Sequence, residues 1–135
     1  MEIRGAKGAT LIVDCYNANP ESTAAALATL ESWPHATRRL ALLGDMLELG
    51  GEGPRLHEET AAAVGPGTEL WVAGTFADDW VRGATRAGRE ARAFPSREAM
   101  RDALRQALGP GVVALVKASR GARFETLLDG LEAEG

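Results

Sequence analysis

The stretch Ala9–Ser22, ATLIVDCYNANPES, passes from an unbroken apolar run into an acid, an aromatic, two asparagines and a proline. The run at 9–13 shows no polar alternation, which is the pattern of a strand covered on both faces, as in a parallel sheet. Asn19 is a good N-cap, and Pro20 falls at the first helical position, where its missing N–H leaves no bond unmade. Ala24, Leu27 and Leu30 then share one helical face, so a helix is expected from Pro20 to about Trp33. Strand, polar turn and helix in that order make the repeating unit of an α/β sheet.

Working outward, the same unit recurs. Strand-like runs are RLALL (39–43), ELWVA (69–73), ARAF (91–94) and VVALV (112–116), and the leading EIR adds a candidate short edge strand. Helices are expected from Pro54 to Val64, Ala77 to Ala87, Ser96 to Leu108 and Ala122 to Glu132. Five successive βα units predict a doubly wound, mostly parallel Rossmann-like α/β sheet with helices on both faces, joined by right-handed crossovers. The 135 residues carry no repeat or linker and are read as a single domain.

Composition narrows the function classes. A net charge of −4, with the arginines scattered along the chain, argues against a nucleic-acid partner. No segment approaches the ~18 apolar residues that span a bilayer, and the N-terminus has no apolar signal-type core, so a cytoplasmic protein without membrane contact is expected. The single cysteine, Cys15, excludes an internal disulfide and reads as a small filler residue. With two histidines it cannot complete a usual zinc site, and no metal is expected on this chain. His57, in RLHEE, reads as a helix-surface residue between solvated neighbours.

In doubly wound folds ligands bind beyond the carboxyl ends of the strands, where the strand order reverses. The residues in that position are Asp14, Tyr16, Asn17 and Asn19 after the first main strand, Asp45 and Glu48 in GDMLELG, Gly74 and Thr75, and Lys117, Ser119 and Arg120 in KASRGARFE. Each has a plainer reading: Asp14 as a strand end, Asn17 and Asn19 as an Asx-turn and helix cap, Gly44-Asp45 as a turn. Taken together they suit a nucleotide or anionic ligand. Asp14 can accept ribose hydroxyls, Tyr16 can lie against a base, and Lys117 and Arg120 can hold a carboxylate or phosphate. Neither G-x-x-x-x-G-K-[ST] nor a G-x-G-x-x-G after the strand is present, so no triphosphate or dinucleotide cradle of the usual kind is expected.

DCYNANPES, ALLGDMLELG with LHEE a few residues on, and LVKASRGARFE, in this order, resemble the C-terminal domain of the Mur ligases, from about Ala9 to Glu132. Within that family they are most similar to the MurF branch, which adds D-alanyl-D-alanine to UDP-N-acetylmuramoyl-tripeptide. The resemblance implies a third domain of a three-domain enzyme, whose N-terminal domain binds the UDP-sugar. Its central domain carries the lysine loop, the Mg2+ ligands and most of the ATP site. It implies that ATP activates the peptide carboxylate as an acyl phosphate, which the dipeptide amine attacks, in peptidoglycan precursor synthesis. This domain would be the moving lid, inactive alone, in an enzyme expected to be a monomer.

By that resemblance Asp14 contacts the ribose, with Tyr16, Asn17 and Asn19 at the adenosine end, while Asp45, Lys117, Ser119 and Arg120 face the dipeptide and phosphate. No residue here is expected to be catalytic. Two departures stand out. The family's Gly-Arg pair lies just before this domain and MEIRG begins just after it, Arg4 lying too close to the first strand to take that role, and Ala118 replaces the family's common glycine. The competing expectation is a stand-alone nucleotide- or small-anion-binding module without catalysis.

Overall fold

The computed structural model describes residues 1–15, 17–119 and 124–128. The elements are β1 (Glu2–Ala6), β2 (Ala9–Asp14), α1 (Pro20–Glu31), β3 (Arg38–Leu43), α2 (Gly53–Ala62), β4 (Thr68–Val72), α3 (Ala77–Arg86), β5 (Ala91–Ala93), α4 (Arg97–Ala107) and β6 (Val112–Lys117), with 3-10 turns at Gly50–Glu52 and Phe124–Leu128. The strands form one sheet in the order β1-β2-β6-β3-β4-β5. Only the β1–β2 pair is antiparallel, a hairpin turned at Lys7-Gly8, both of which have positive φ.

Period-two alternation along the strands sorts the core into two halves. Leu11, Val13, Leu40, Leu42, Trp71, Ala114 and Val116 face α4, meeting Met100, Leu104 and Leu108, and on the same side Phe124, Leu127 and Leu128. Ile12, Ala41, Leu43, Leu70, Val72, Val113 and Leu115 face α1, α2 and α3, meeting Leu27, Leu30, Ala61 and Trp80. Both faces of the central strands are therefore dry, which is why their sequences read as continuous apolar runs.

Helix ends follow their caps. Asn19 accepts the Ser22 amide at 2.8 Å and donates its own amide to the Ser22 hydroxyl at 3.1 Å, a reciprocal capping box that starts α1. Ser96 caps α4 by accepting the Ala99 amide. The helix expected over 122–132 lies largely outside the described residues, and its described part, Phe124–Leu128, is a 3-10 turn seated on the α4 side of the sheet.

Chain order and sheet order differ at one place. From β2 the chain crosses to β3, adds β4 and β5 outward, then returns through α4 on the opposite face to place β6 between β2 and β3. Around the end of β6 the connections thus leave to opposite faces, which opens the crevice that such sheets use for ligands.

The helix pair α2 and α3 packs close enough that a Cβ on Gly83 would strike the backbone of Glu58, although Gly83 is inside a helix, where alanine would otherwise be favoured by about 1 kcal/mol. Backbone cannot swing aside as a side chain can, so overpacking of about 1–3 kcal/mol outweighs the propensity gain. Gly83→Ala is expected to lower the urea midpoint without changing the slope of the transition; a rise in midpoint would contradict the close approach.

Candidate functional site

The crevice begins with a consequence of register. Asp14 and Lys117 are partnered residues on neighbouring parallel strands, at the last rung of the β2–β6 ladder. Their side chains meet there: the Lys117 ammonium donates to Asp14 Oδ2 at 2.8 Å and to the Asn17 carbonyl at 2.7 Å. Lys117 is 1% exposed, whereas the Asp14 side chain is 20% exposed. A buried ammonium needs such acceptors, because removal from water is otherwise very costly. The pair therefore fixes Asp14 and the Asn17 carbonyl about one ammonium, and Oδ2 is the Asp14 oxygen it engages.

A second bracket crosses from the β3 loop to the β4 loop. Asp45, 8% exposed, accepts the Thr75 amide on Oδ2 at 3.0 Å and the Phe76 amide on Oδ1 at 2.9 Å, at the start of α3. A carboxylate on two exposed N–H groups at a helix start is favourable in both hydrogen bonding and helix dipole. Gly74, at φ 113, passes so close that a Cβ would stand 2.6 Å from Asp45 Oδ1, so both its backbone and its lack of side chain are required.

Ser119 joins the brackets. Its amide donates to the Asp45 carbonyl at 2.9 Å, its hydroxyl accepts the Leu47 amide at 2.8 Å and donates to the Ala18 carbonyl at 3.2 Å. Ala118 is fully buried and is not among the residues of positive φ, so alanine is accommodated where the resembled family commonly has glycine. A Cβ on the facing Gly44 would stand 2.8 Å from that of Ala118.

His57 corrects an expectation. It is not on the surface of α2 but fully buried, with the ring stacked on Phe76 at 4.1 Å and edge-on to Trp80 at 4.9 Å. Arg55 pairs with Glu52 and Glu59 on the exposed side of α2, whereas α3 covers the face of His57 and also takes Glu58, which pairs with Arg86. The Met46 amide donates to Nε2 at 2.9 Å, so the ring proton must lie on Nδ1, which donates to the Gly53 carbonyl at 2.7 Å. Burial pushes its pKa below the ordinary histidine range, opposed by the Gly53 carbonyl and the charges of Asp45 and Asp79.

The structure thus brings Asp14, Asn17, Asn19, Asp45, Lys117 and Ser119 to one end of the sheet. Asn17 is exposed, while the Asn19 side-chain oxygen is engaged in capping α1. Tyr16 and Arg120 lie outside the described residues. Beside Asp45 a cleft of about 340 Å³ opens between Gly74, Thr75, Ser96, Arg97, Glu98 and Phe124. Sequence reasoning assigned no role to its α4 side, although Ser96 and Arg97 also follow directly on a strand and were open to the same rule.

Fold and crevice together define a doubly wound α/β domain whose polar residues converge at a switch point, the arrangement of a ligand-binding domain. The family model described as "Mur ligase, glutamate ligase domain" matches residues 1–120. The chain belongs to the Mur ligase family, as its C-terminal domain.

Among relatives, the UDP-N-acetylmuramoyl-tripeptide--D-alanyl-D-alanine ligase of Mycobacterium tuberculosis is 35% identical over 94% of this chain, and that of Bacillus subtilis 29% identical over 96%. The chain spans 29% of the length of each of these relatives. The crystal structure of MurF ligase from Thermotoga maritima in complex with ADP superposes with a TM-score of 0.81 at 28% identity, over 98% of this chain and 30% of that one.

Removing one member of a buried ion pair strands the other, at a cost of about 3–5 kcal/mol, whereas replacing both by apolar groups of similar size is close to neutral. Lys117→Met and Asp14→Leu are each expected to lower stability strongly, and the double variant to regain most of it. Additive losses in thermal denaturation would show that the pair is not the unit. A histidine whose folded pKa is depressed binds fewer protons folded than unfolded, so its contribution is present above the unfolded pKa and is lost as pH falls. Stability is therefore expected to decline below about pH 6.5, and this part of the slope to vanish in His57→Gln; an unchanged slope in urea titrations would contradict it.

Proposed function

We propose that this chain is the C-terminal lid of an ATP-dependent carbon-nitrogen ligase that joins D-alanyl-D-alanine to UDP-N-acetylmuramoyl-tripeptide for peptidoglycan synthesis. The observation that carries the reading is the Asp14–Lys117–Asn17 clamp, which holds a part-exposed carboxylate at the switch point of a domain aligned nearly end to end with ligases of that name. The remainder of the enzyme would comprise an N-terminal UDP-sugar domain and a central ATPase domain.

In this reading Asp14 accepts ribose hydroxyls of ATP, with Tyr16, Asn17 and the Asn19 turn at the adenosine end. The ATP site is shared with the central domain, which also takes Mg2+; among the described residues no three His, Cys, Asp or Glu side chains converge as metal ligands. The cleft beside Asp45 receives the dipeptide, and Ser119 shapes it through its bonds to Asp45 and Leu47. Lys117 acts by fixing Asp14 and the Asn17 carbonyl, and Arg120 faces the phosphate end. ATP supplies the activated acyl phosphate; closure of this lid carries the amine to it and excludes water.

We place the enzyme in the cytoplasm as a monomer, in keeping with its acidic, cysteine-poor composition. Among the described residues no helix is long and apolar enough to cross a membrane.

Backbone-amide NMR titration of the chain tests this reading. ADP is expected to shift residues 14–19. D-alanyl-D-alanine is expected to shift 44–48, 74–76 and 96–98, and to do so more than its L,L isomer. Nucleotide shifts with no response to either dipeptide, also after addition of the central domain, would favour a binding module without ligase activity.

A further inference from the structure

We infer that His57 is a positioning residue for the amino-component cleft, holding the Asp45–Leu47 loop and the start of α3 in one arrangement through its imidazole. The inference rests on the ligase reading for the identity of the substrate, but not for the geometry.

Three observations converge on it. First, the ring is a crossing point of three segments. Nδ1 ties it to Gly53 on its own helix, Nε2 takes the Met46 amide from the β3 loop, and its face lies on Phe76 from the β4 loop. Second, both loops feed the same carboxylate: Asp45 precedes Met46 in the chain and accepts the amides of Thr75 and Phe76. His57 therefore stands under the cleft without lining it. Third, the loop it holds is not self-supporting. Glu48 adopts φ 63, which a non-glycine residue rarely takes, and Leu47 is exposed, so bonds to Met46 and Leu47 must come from other elements. His57 holds the first and Ser119 the second.

The Asp14 end of the crevice is held differently, by Lys117 and by the α1 capping box, with no bond to His57. Loss of the imidazole nitrogen must then loosen one half of the site and spare the other. His57→Phe keeps the ring that stacks on Phe76 and removes the acceptor for the Met46 amide. His57→Gln gives up the ring and offers a side-chain oxygen near the position of Nε2.

The test has two readouts. Hydrogen exchange of the Met46 amide in the chain itself needs no substrate: His57→Phe is expected to speed it at least tenfold and His57→Gln to recover most of the protection. In the full-length enzyme, His57→Phe is expected to raise KM for D-alanyl-D-alanine about tenfold with KM for ATP within twofold of wild type, and His57→Gln to restore it. Unchanged Met46 exchange in His57→Phe would overturn the inference whatever the substrate. Equal rises in both KM values, or an unchanged KM for the dipeptide, would overturn it by showing a role in general stability alone. Failure of the wild-type enzyme to form ADP in response to D-alanyl-D-alanine would instead count against the ligase reading, leaving the exchange result to decide on His57.

Discussion

The Lys117 ammonium is the constraint around which the carboxyl end of this sheet is arranged. β6 is inserted between β2 and β3, so its last residue is surrounded by backbone and cannot reach solvent. A charge in that place requires acceptors within reach, and the register of β2 supplies Asp14 beside it while the following turn supplies the Asn17 carbonyl. Asp14 and Asn17 are thereby placed by electrostatics, as Asn19 is by its cap.

The same economy holds on the other side of the crevice. Asp45 faces the cleft, yet both of its oxygens are engaged by the amides that open α3. A carboxylate so engaged offers a ligand its remaining lone pairs and its charge but no freedom to move. Positions of this kind are preorganised.

Much of this was legible in the residues. Apolar runs without alternation required a sheet covered on both faces, and Asn19-Pro20 and Ser96 marked helix starts from their own chemistry. The convergence of Asp14, Asp45 and Lys117 followed from the rule for strand ends. Their partners did not follow, because the pairing of Asp14 with Lys117 depends on β6 entering between β2 and β3, and no local pattern encodes strand order. His57 was misread for a related reason. Its charged neighbours in sequence suggested a solvated face, but Glu58 pairs with Arg86 of α3, and the face that carries His57 is covered by Phe76 and Trp80. The pattern over 122–132 suggested a regular helix, where the described residues 124–128 take the tighter 3-10 form.

Ser119 links the two brackets directly: its hydroxyl contacts the Ala18 carbonyl on one side and the Leu47 amide on the other, and beside it the Gly44 amide bonds the Lys117 carbonyl. A serine hydroxyl has a single proton, and the Leu47 amide can only donate, so the hydroxyl must give its proton to Ala18. Both bonds are then satisfied in one orientation and in no other. The Asp14 end and the Asp45 end of the crevice are thus joined at Ser119 by a contact with a definite sense.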